Sequence, residues 1–237
     1  MDDESTGEAL LEQTAALGLA EVGRSSAGRP IHGGPIPESR AASGRPLLIM
    51  AGIHGDEPAS VAAVLDLWAR RAEVPASRGP VWLVPALNPD GIAAGTKNSA
   101  RDVDLNRNFP ARNFTTAHRH GYDPGPSPAS EPETAAFVTL IEQLDPVGVV
   151  AVHAPFACIN YDGPAAGWAE SVAAACGWPA RADLGYPTPG SLGSWLGVDR
   201  ALPVLTIELP KGALAGFREP AFQSLAAAIR FAPDSTG

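Results

Sequence analysis

Apolar residues along this chain fall into two kinds of run. Continuous runs bounded by glycine or proline occupy residues 46–52 (PLLIMAG), 80–86 (PVWLVPA), 147–152 and 203–209. Runs of this length predict strands buried on both faces. Between them lie longer, alanine-rich stretches with helical spacing. Residues 57–71 place Val61, Val64, Leu65 and Trp68 on one face, with Pro58 tolerated in the first turn. Ser130-Glu131-Pro132-Glu133 has the hydroxyl and carboxylate three apart that a capping box requires, and predicts a helix to about Leu144. Residues 165–177 and 219–231 read as two further helices, and residues 22–37 as a source of edge strands. Asn88-Pro89-Asp90-Gly91 reads as a turn, and residues 92–129, which lack sustained periodicity, as a long ordered loop region. Strands alternating with helices predict an α/β layered fold.

Composition narrows the functional classes. The 237 residues are 45% hydrophobic and 18% charged, which suits one large domain without staples, and no linker divides them. Seventeen basic against 26 acidic side chains leave a net charge of -9, which argues against a nucleic-acid partner. The longest strongly apolar run, residues 47–53, is far short of a membrane span. Asp2, Asp3 and Glu4 open the chain and the first cationic side chain is Arg24, unlike a secretory signal, so a soluble cytoplasmic protein is expected. Cys158 and Cys176 are too few for a disulfide framework or a four-thiolate zinc site.

Three of the four strand candidates run into polar groups at their carboxyl ends. The first leads to His54 and Glu57, the third to His153 and the fourth to Glu208. In open α/β sheets that edge is where ligands gather. Two histidines and one carboxylate with a free fourth position form a catalytic rather than a structural zinc set. Each residue alone also admits a plainer role: His54 as a turn cap, His153 as a hydrogen-bonded half-buried histidine, Glu208 in an ion pair with Lys211 or an arginine. A buried Glu208 beside a metal-activated water would instead serve as a general base. Lys97, Arg101, Arg107, Arg112 and Arg119 crowd one loop against only Asp102 and Asp104. Such a patch suits a small anionic ligand held by arginine, or a solvated loop face.

The stretch Asp104-Leu-Asn-Arg-Asn-Phe-Pro110 adds a resemblance. Taken with His54-Gly-Asp-Glu57, Asn88-Pro-Asp-Gly91, Ser130-Glu-Pro-Glu133, His153 and Glu208, it resembles the zinc carboxypeptidase superfamily, the M14 metallopeptidases, over about residues 20–230. His153-Ala-Pro-Phe-Ala-Cys-Ile159 and Gly185-Tyr-Pro-Thr-Pro-Gly-Ser-Leu-Gly-Ser-Trp195 are most similar to the murein peptide amidase branch. The resemblance implies a single peptidase domain over residues 1–237, with its core at about 20–231. The implied fold is an α/β/α sandwich whose central mixed, mostly parallel twisted sheet is flanked by helices.

It also implies one zinc ion per chain held by His54, Glu57 and His153, with Asp104 orienting the first histidine. Asn106 and Arg107 would grip a substrate carboxylate, Tyr186 would fold over the substrate and Glu208 would act as general base. Where the family carries an oxyanion-stabilising arginine, this chain has Lys97, with Arg101 as a substitute four residues on. Ala154 stands where relatives of the amidase branch tend to have a polar residue. The implied reaction is hydrolysis of an amide next to a free carboxylate, foremost the γ-D-glutamyl–meso-diaminopimelate bond of murein tripeptide during wall recycling. The alternatives are an ordinary carboxypeptidase, an N-acyl-amino-acid deacylase or an inactive metal-containing binding module.

Overall fold

A computed structural model describes residues 7–39, 43–74 and 76–234; the acidic opening at Asp2, Asp3 and Glu4 lies outside them. The strands are β1 (Ala20–Arg24), β2 (Pro30–Pro35), β3 (Leu47–Ala51), β4 (Val81–Val84), β5 (Gly148–His153), β6 (Phe156–Asp162), β7 (Ala180–Arg181) and β8 (Val204–Pro210). They form one eight-stranded mixed sheet in the order β1-β2-β4-β3-β5-β8-β6-β7. The four continuous apolar runs are its parallel centre, β4-β3-β5-β8. β1, β2 and β6 pair antiparallel around that centre.

The helices are α1 (Gly7–Ala16), α2 (Pro58–Ala69), α3 (Pro89–Ala94), α4 (Pro132–Leu144), α5 (Ala166–Cys176) and α6 (Arg218–Arg230). Alternate residues of the central strands serve opposite faces, as the period of two requires. Ile49, Val150, Val152, Leu205 and Ile207 pack on one side with Val64 and Leu67 of α2, Trp168 and Val172 of α5, and Leu225 and Ile229 of α6. Leu48, Met50, Val149 and Val204 face the other side. There only α4, through Phe137, Leu140 and Ile141, is a long helix. Side chains of the connecting segments and their short helical turns complete that layer, among them Leu105, Phe109, Leu192 and Trp195. Each such buried side chain contributes roughly 1.5–3 kcal/mol. A layer finished by loops leaves a cavity at the sheet's carboxyl edge.

Two local expectations are corrected. Asn88 to Gly91 is not a free turn: Asn88 caps α3, its Oδ1 accepting from Gly91 N at 2.9 Å. The capping box at Ser130 is not formed, since Glu131 stands at the cap of α4 without a side-chain cap bond. Ser130 Oγ accepts instead from Asn108 Nδ2, and Glu133 Oε1 accepts from Ser26 N. Tertiary partners outcompete the local cap because both groups are drawn into a buried polar contact with distant loops.

Candidate metal centre and substrate cavity

β3 ends and the chain drops abruptly onto α3 before entering α2. Gly55 makes this possible, because a Cβ there would lie 2.0 Å from the Gly91 carbonyl carbon. The descent turns His54 and Glu57 toward β5. His54 Nδ1 lies 2.7 Å from Glu57 Oε1, and His153 Nδ1 lies 3.1 Å from Glu57 Oε2. One ligand atom from each of the three falls within 4.8 Å of the others. Two imidazole nitrogens and a carboxylate beside a cavity fit zinc, the ion that accepts this mixed set with a free position.

Charges around this trio are tightly balanced. Burial alone would push the His54 pKa down, but hydrogen bonds to Asp104 and Glu57 raise it to about 9. Burial would likewise raise Glu57, yet His153 and then His54 lower it to about 2. Asp104, fully buried, accepts from the other His54 nitrogen, Nε2, at 3.2 Å and from Asn106 N at 2.9 Å. Its pKa lies well below the carboxylate range although burial opposes this, with the His54 hydrogen bond the foremost cause. A carboxylate on the far ring nitrogen fixes the ring's angle and leaves Nδ1 for a metal.

β5 and β8 run parallel with His153 opposite Glu208. Glu208 is 4% exposed, and its Oε2 has no hydrogen-bond partner. Its pKa is raised, by burial first, with His153 opposing and Glu57 reinforcing. Neither Lys211 nor any described arginine pairs with it, so the ion pair that the sequence left open is not formed.

A cavity of ≈ 210 Å³ unites these groups with Lys97, Asn106, Arg107, Tyr122 and Tyr186. Asp104 initiates the short turn Leu105–Arg107, which presents Asn106 and Arg107 to the cavity. Asn106 Oδ1 accepts from Leu192 N at 3.0 Å, and Arg107 donates to the Asn106 carbonyl at 2.6 Å. Arg107 is only 6% exposed and makes no ion pair with any described carboxylate. Lys97 reaches the Asp104 carboxylate and the Gly121 carbonyl, its ammonium 3.8 Å from the Tyr122 ring. Tyr186 lines the cavity, its ring 6.2 Å from that of Phe156.

Arg101 is the exception among the expected site residues. Its exposed side chain faces Glu131 at 4.0 Å and does not line the cavity. The positive backbone φ of 61° at Asp102 turns the loop between Arg101 and the site, which sequence spacing does not reveal. Sequence reading also missed Tyr122, Asn160 and Asp162, which line the cavity. The signal for the last two was the polar residues Asn160 and Asp162, two apart, in an otherwise apolar stretch.

An open α/β sheet with a metal-ligand trio and a buried carboxylate at its carboxyl edge defines the protein as a metal-dependent hydrolase. The chain belongs to the zinc carboxypeptidase family, whose sequence signature its residues 11–167 match. It is 39% identical to murein peptide amidase A of Escherichia coli (strain K12) over 205 residues, 81% of each chain. Murein peptide amidase A of Vibrio campbellii is 38% identical over 176 residues, 69% of this chain and 68% of the relative. The crystal structure of murein-tripeptide amidase MpaA from Escherichia coli O157 superposes with a TM-score of 0.75 at 35% identity, covering 91% of this chain and 92% of the other. Thrombin activatable fibrinolysis inhibitor shares the fold with a TM-score of 0.77 at 15% identity, covering 95% of this chain and 76% of its own. Among the described residues no helix is long and apolar enough to cross a membrane.

Proposed function

We propose that this protein is a single-domain zinc amidase that cuts the γ-D-glutamyl–meso-diaminopimelate bond of a murein tripeptide in the cytoplasm, a step of wall recycling. The observation that carries this reading is one cavity holding three charged functions at once. These are the donor trio, the buried unpartnered Glu208 oxygen and the buried Arg107 without a carboxylate partner. The similarity to murein peptide amidases supplies the substrate class. Both cysteines are free, as suits a reducing compartment.

Zinc held by His54, Glu57 and His153 supplies Lewis acidity toward the scissile carbonyl and an acidified water. Arg107 and Asn106 hold the carboxylate of the leaving residue and so fix the amide's position. Glu208 Oε2, kept basic by burial and free of competing partners, takes the attacking water's proton and returns it to the leaving amine. Lys97 is the cavity's cation for the carbonyl oxygen as it gains charge, a role for which Arg101 lies too far out. Tyr186 and Phe156 form the apolar rim that limits water.

The test is mass spectrometry of products from the zinc-loaded protein given L-alanyl-γ-D-glutamyl-meso-diaminopimelate, beside a simple C-terminal α-dipeptide. Release of free diaminopimelate, stopped by a chelator, is the expected result. Cleavage of the α-dipeptide alone overturns the γ-linkage reading, and inertness toward both overturns the amidase.

A further inference from the structure

A lysine is a mobile choice for the cation that meets the carbonyl oxygen. Its ammonium is a point charge on a stem of rotatable bonds, without the planar fork that lets a guanidinium fix its own direction. Lys97 therefore depends on its surroundings for its place. The Asp104 carboxylate takes one of its three N–H groups, and the Gly121 carbonyl takes a second at 3.1 Å. Tyr122 supplies the remaining contact, its ring centre 3.8 Å from Nζ.

The segment that carries Tyr122 is fastened to the same pair of residues. A positive φ of 79° at Gly121 bends the chain there, a conformation that glycine adopts without steric cost. Gly121 gives its carbonyl to Lys97, and the Asp123 carbonyl accepts from Asp104 N at 2.8 Å. Tyr122, between them, is half-buried and lines the cavity. Arg119 belongs to the same turn: its carbonyl accepts from Tyr122 N at 3.0 Å, and its guanidinium carbon lies 4.2 Å from the ring centre. Two cations at such heights over one ring collide unless they take opposite faces, so the ring separates Lys97 from Arg119. Each is held by the negative face that it meets, not by the other. Arg107 lies farther out, 5.5 Å from the ring centre, and has the Asn106 carbonyl as an anchor of its own. The Tyr122 hydroxyl makes no hydrogen bond with any described residue, which leaves the ring as the working part.

A ring face is a weaker partner for an ammonium than a carboxylate or a carbonyl oxygen. It is the contact that gives way first when a carbonyl oxygen in the cavity gains charge. We propose that Tyr122 is the positioning residue of Lys97: its ring keeps the ammonium at the cavity wall and yields one N–H to the oxyanion in the transition state. This rests on the reading above only in giving Lys97 a scissile carbonyl to stabilise.

Two readouts test it, one of them independent of turnover. In the first, the ε-methylene protons of Lys97 are observed by NMR of lysine-labelled, zinc-loaded protein and assigned by their absence in Lys97→Met. A ring face at this distance shields them. An upfield signal is expected in wild type and in Tyr122→Phe, and its return to the ordinary lysine position in Tyr122→Leu. In the second, kcat and KM are measured on whichever of the murein tripeptide and the α-dipeptide the wild type cuts. Tyr122→Leu is expected to lower kcat about 3- to 30-fold with KM little changed, because the contact it supports forms only in the transition state. Tyr122→Phe is expected to recover most of that loss. In a Lys97→Met background, Tyr122→Leu is expected to cost nothing further, since Tyr122 acts through Lys97. Tyr122→Met serves if the leucine variant does not fold.

An ordinary Lys97 signal in wild type overturns the proposal, and so does an upfield shift that survives in Tyr122→Leu. A loss of turnover that persists undiminished in the Lys97→Met background overturns it too, and makes Tyr122 a packing residue. If the wild type cuts neither substrate, the amidase reading fails and the NMR signal decides this one. If it releases diaminopimelate and Tyr122→Leu behaves as wild type, the amidase reading stands and this one falls.

Discussion

Glu57 offers one carboxylate oxygen to His54 and the other to His153, so the trio is organised around it. On the proposed reading, Asp104 acts on zinc only through His54. Asp104→Asn is then expected to weaken zinc binding about 10–100-fold, read by competition with a chromophoric chelator. Glu208→Gln keeps the shape and the metal but removes the base. Turnover is expected to fall about 10²–10⁴-fold with full zinc content, measured by single-turnover assay and metal analysis. Loss of zinc in that variant would make Glu208 a structural residue instead. At this scale, the sequence was informative wherever a polar residue interrupted an apolar strand end, as at His54, His153 and Glu208. It was uninformative inside the irregular loop, where Lys97 enters the cavity and Arg101 leaves it. No periodicity constrains a loop, so spacing from Asp104 does not say which cation turns inward.

Elements position the site through close backbone approaches. The loop carrying His54 lies on α3, and Gly55→Ala would drive a Cβ into the Gly91 backbone. The loop must move, so zinc stoichiometry is expected to drop well below one while circular dichroism stays near wild type. Asn88 ties the same junction: it caps α3 through Gly91 N, and its Nδ2 donates to the carbonyls of Ile53 and Lys97. Asn88→Ala leaves those buried groups unpaired. It is expected to cost about 2–4 kcal/mol in urea unfolding, a cap plus the desolvated partners. The four central strands and the longer helices α2, α4, α5 and α6 were legible because burial on both faces, or on one stripe, imposes a pattern. α1 and β6 were not. α1 buries only Leu10 and Thr14, and β6 turns Asn160 and Asp162 into the cavity, so neither shows a clean apolar period.

Across the whole molecule, protons and zinc compete for the same atoms. His54 is raised from 6.5 to about 9, so in the metal-free protein its stabilisation is complete below pH 6.5 and is lost as pH rises through about 9. Glu57 is lowered from 4.5 to about 2, so its contribution is complete above pH 4.5 and is lost as pH falls through about 2. Between pH 6.5 and 9 the metal-free form should therefore lose stability while the zinc sites lose their competing proton. The expected outcome is a gap in Tm between zinc-loaded and chelator-treated protein that widens over this range. Scanning calorimetry at several pH values checks it, and a constant gap would contradict the assignment of that proton to His54.

By itself the sequence determined the parallel core and the helices that cover it, because hydrophobic burial writes a period of two or 3.6 into the residues. It also determined which polar residues would gather at the sheet's carboxyl edge, because parallel strands deliver their ends to one place. Only the tertiary structure decided what lies across from what. The β5–β8 register sets His153 beside Glu208, and the antiparallel return of β6 carries Asp162 into the cavity. The loop path admits Lys97 and excludes Arg101. Those choices depend on contacts between residues tens of positions apart, and local pattern holds no record of them.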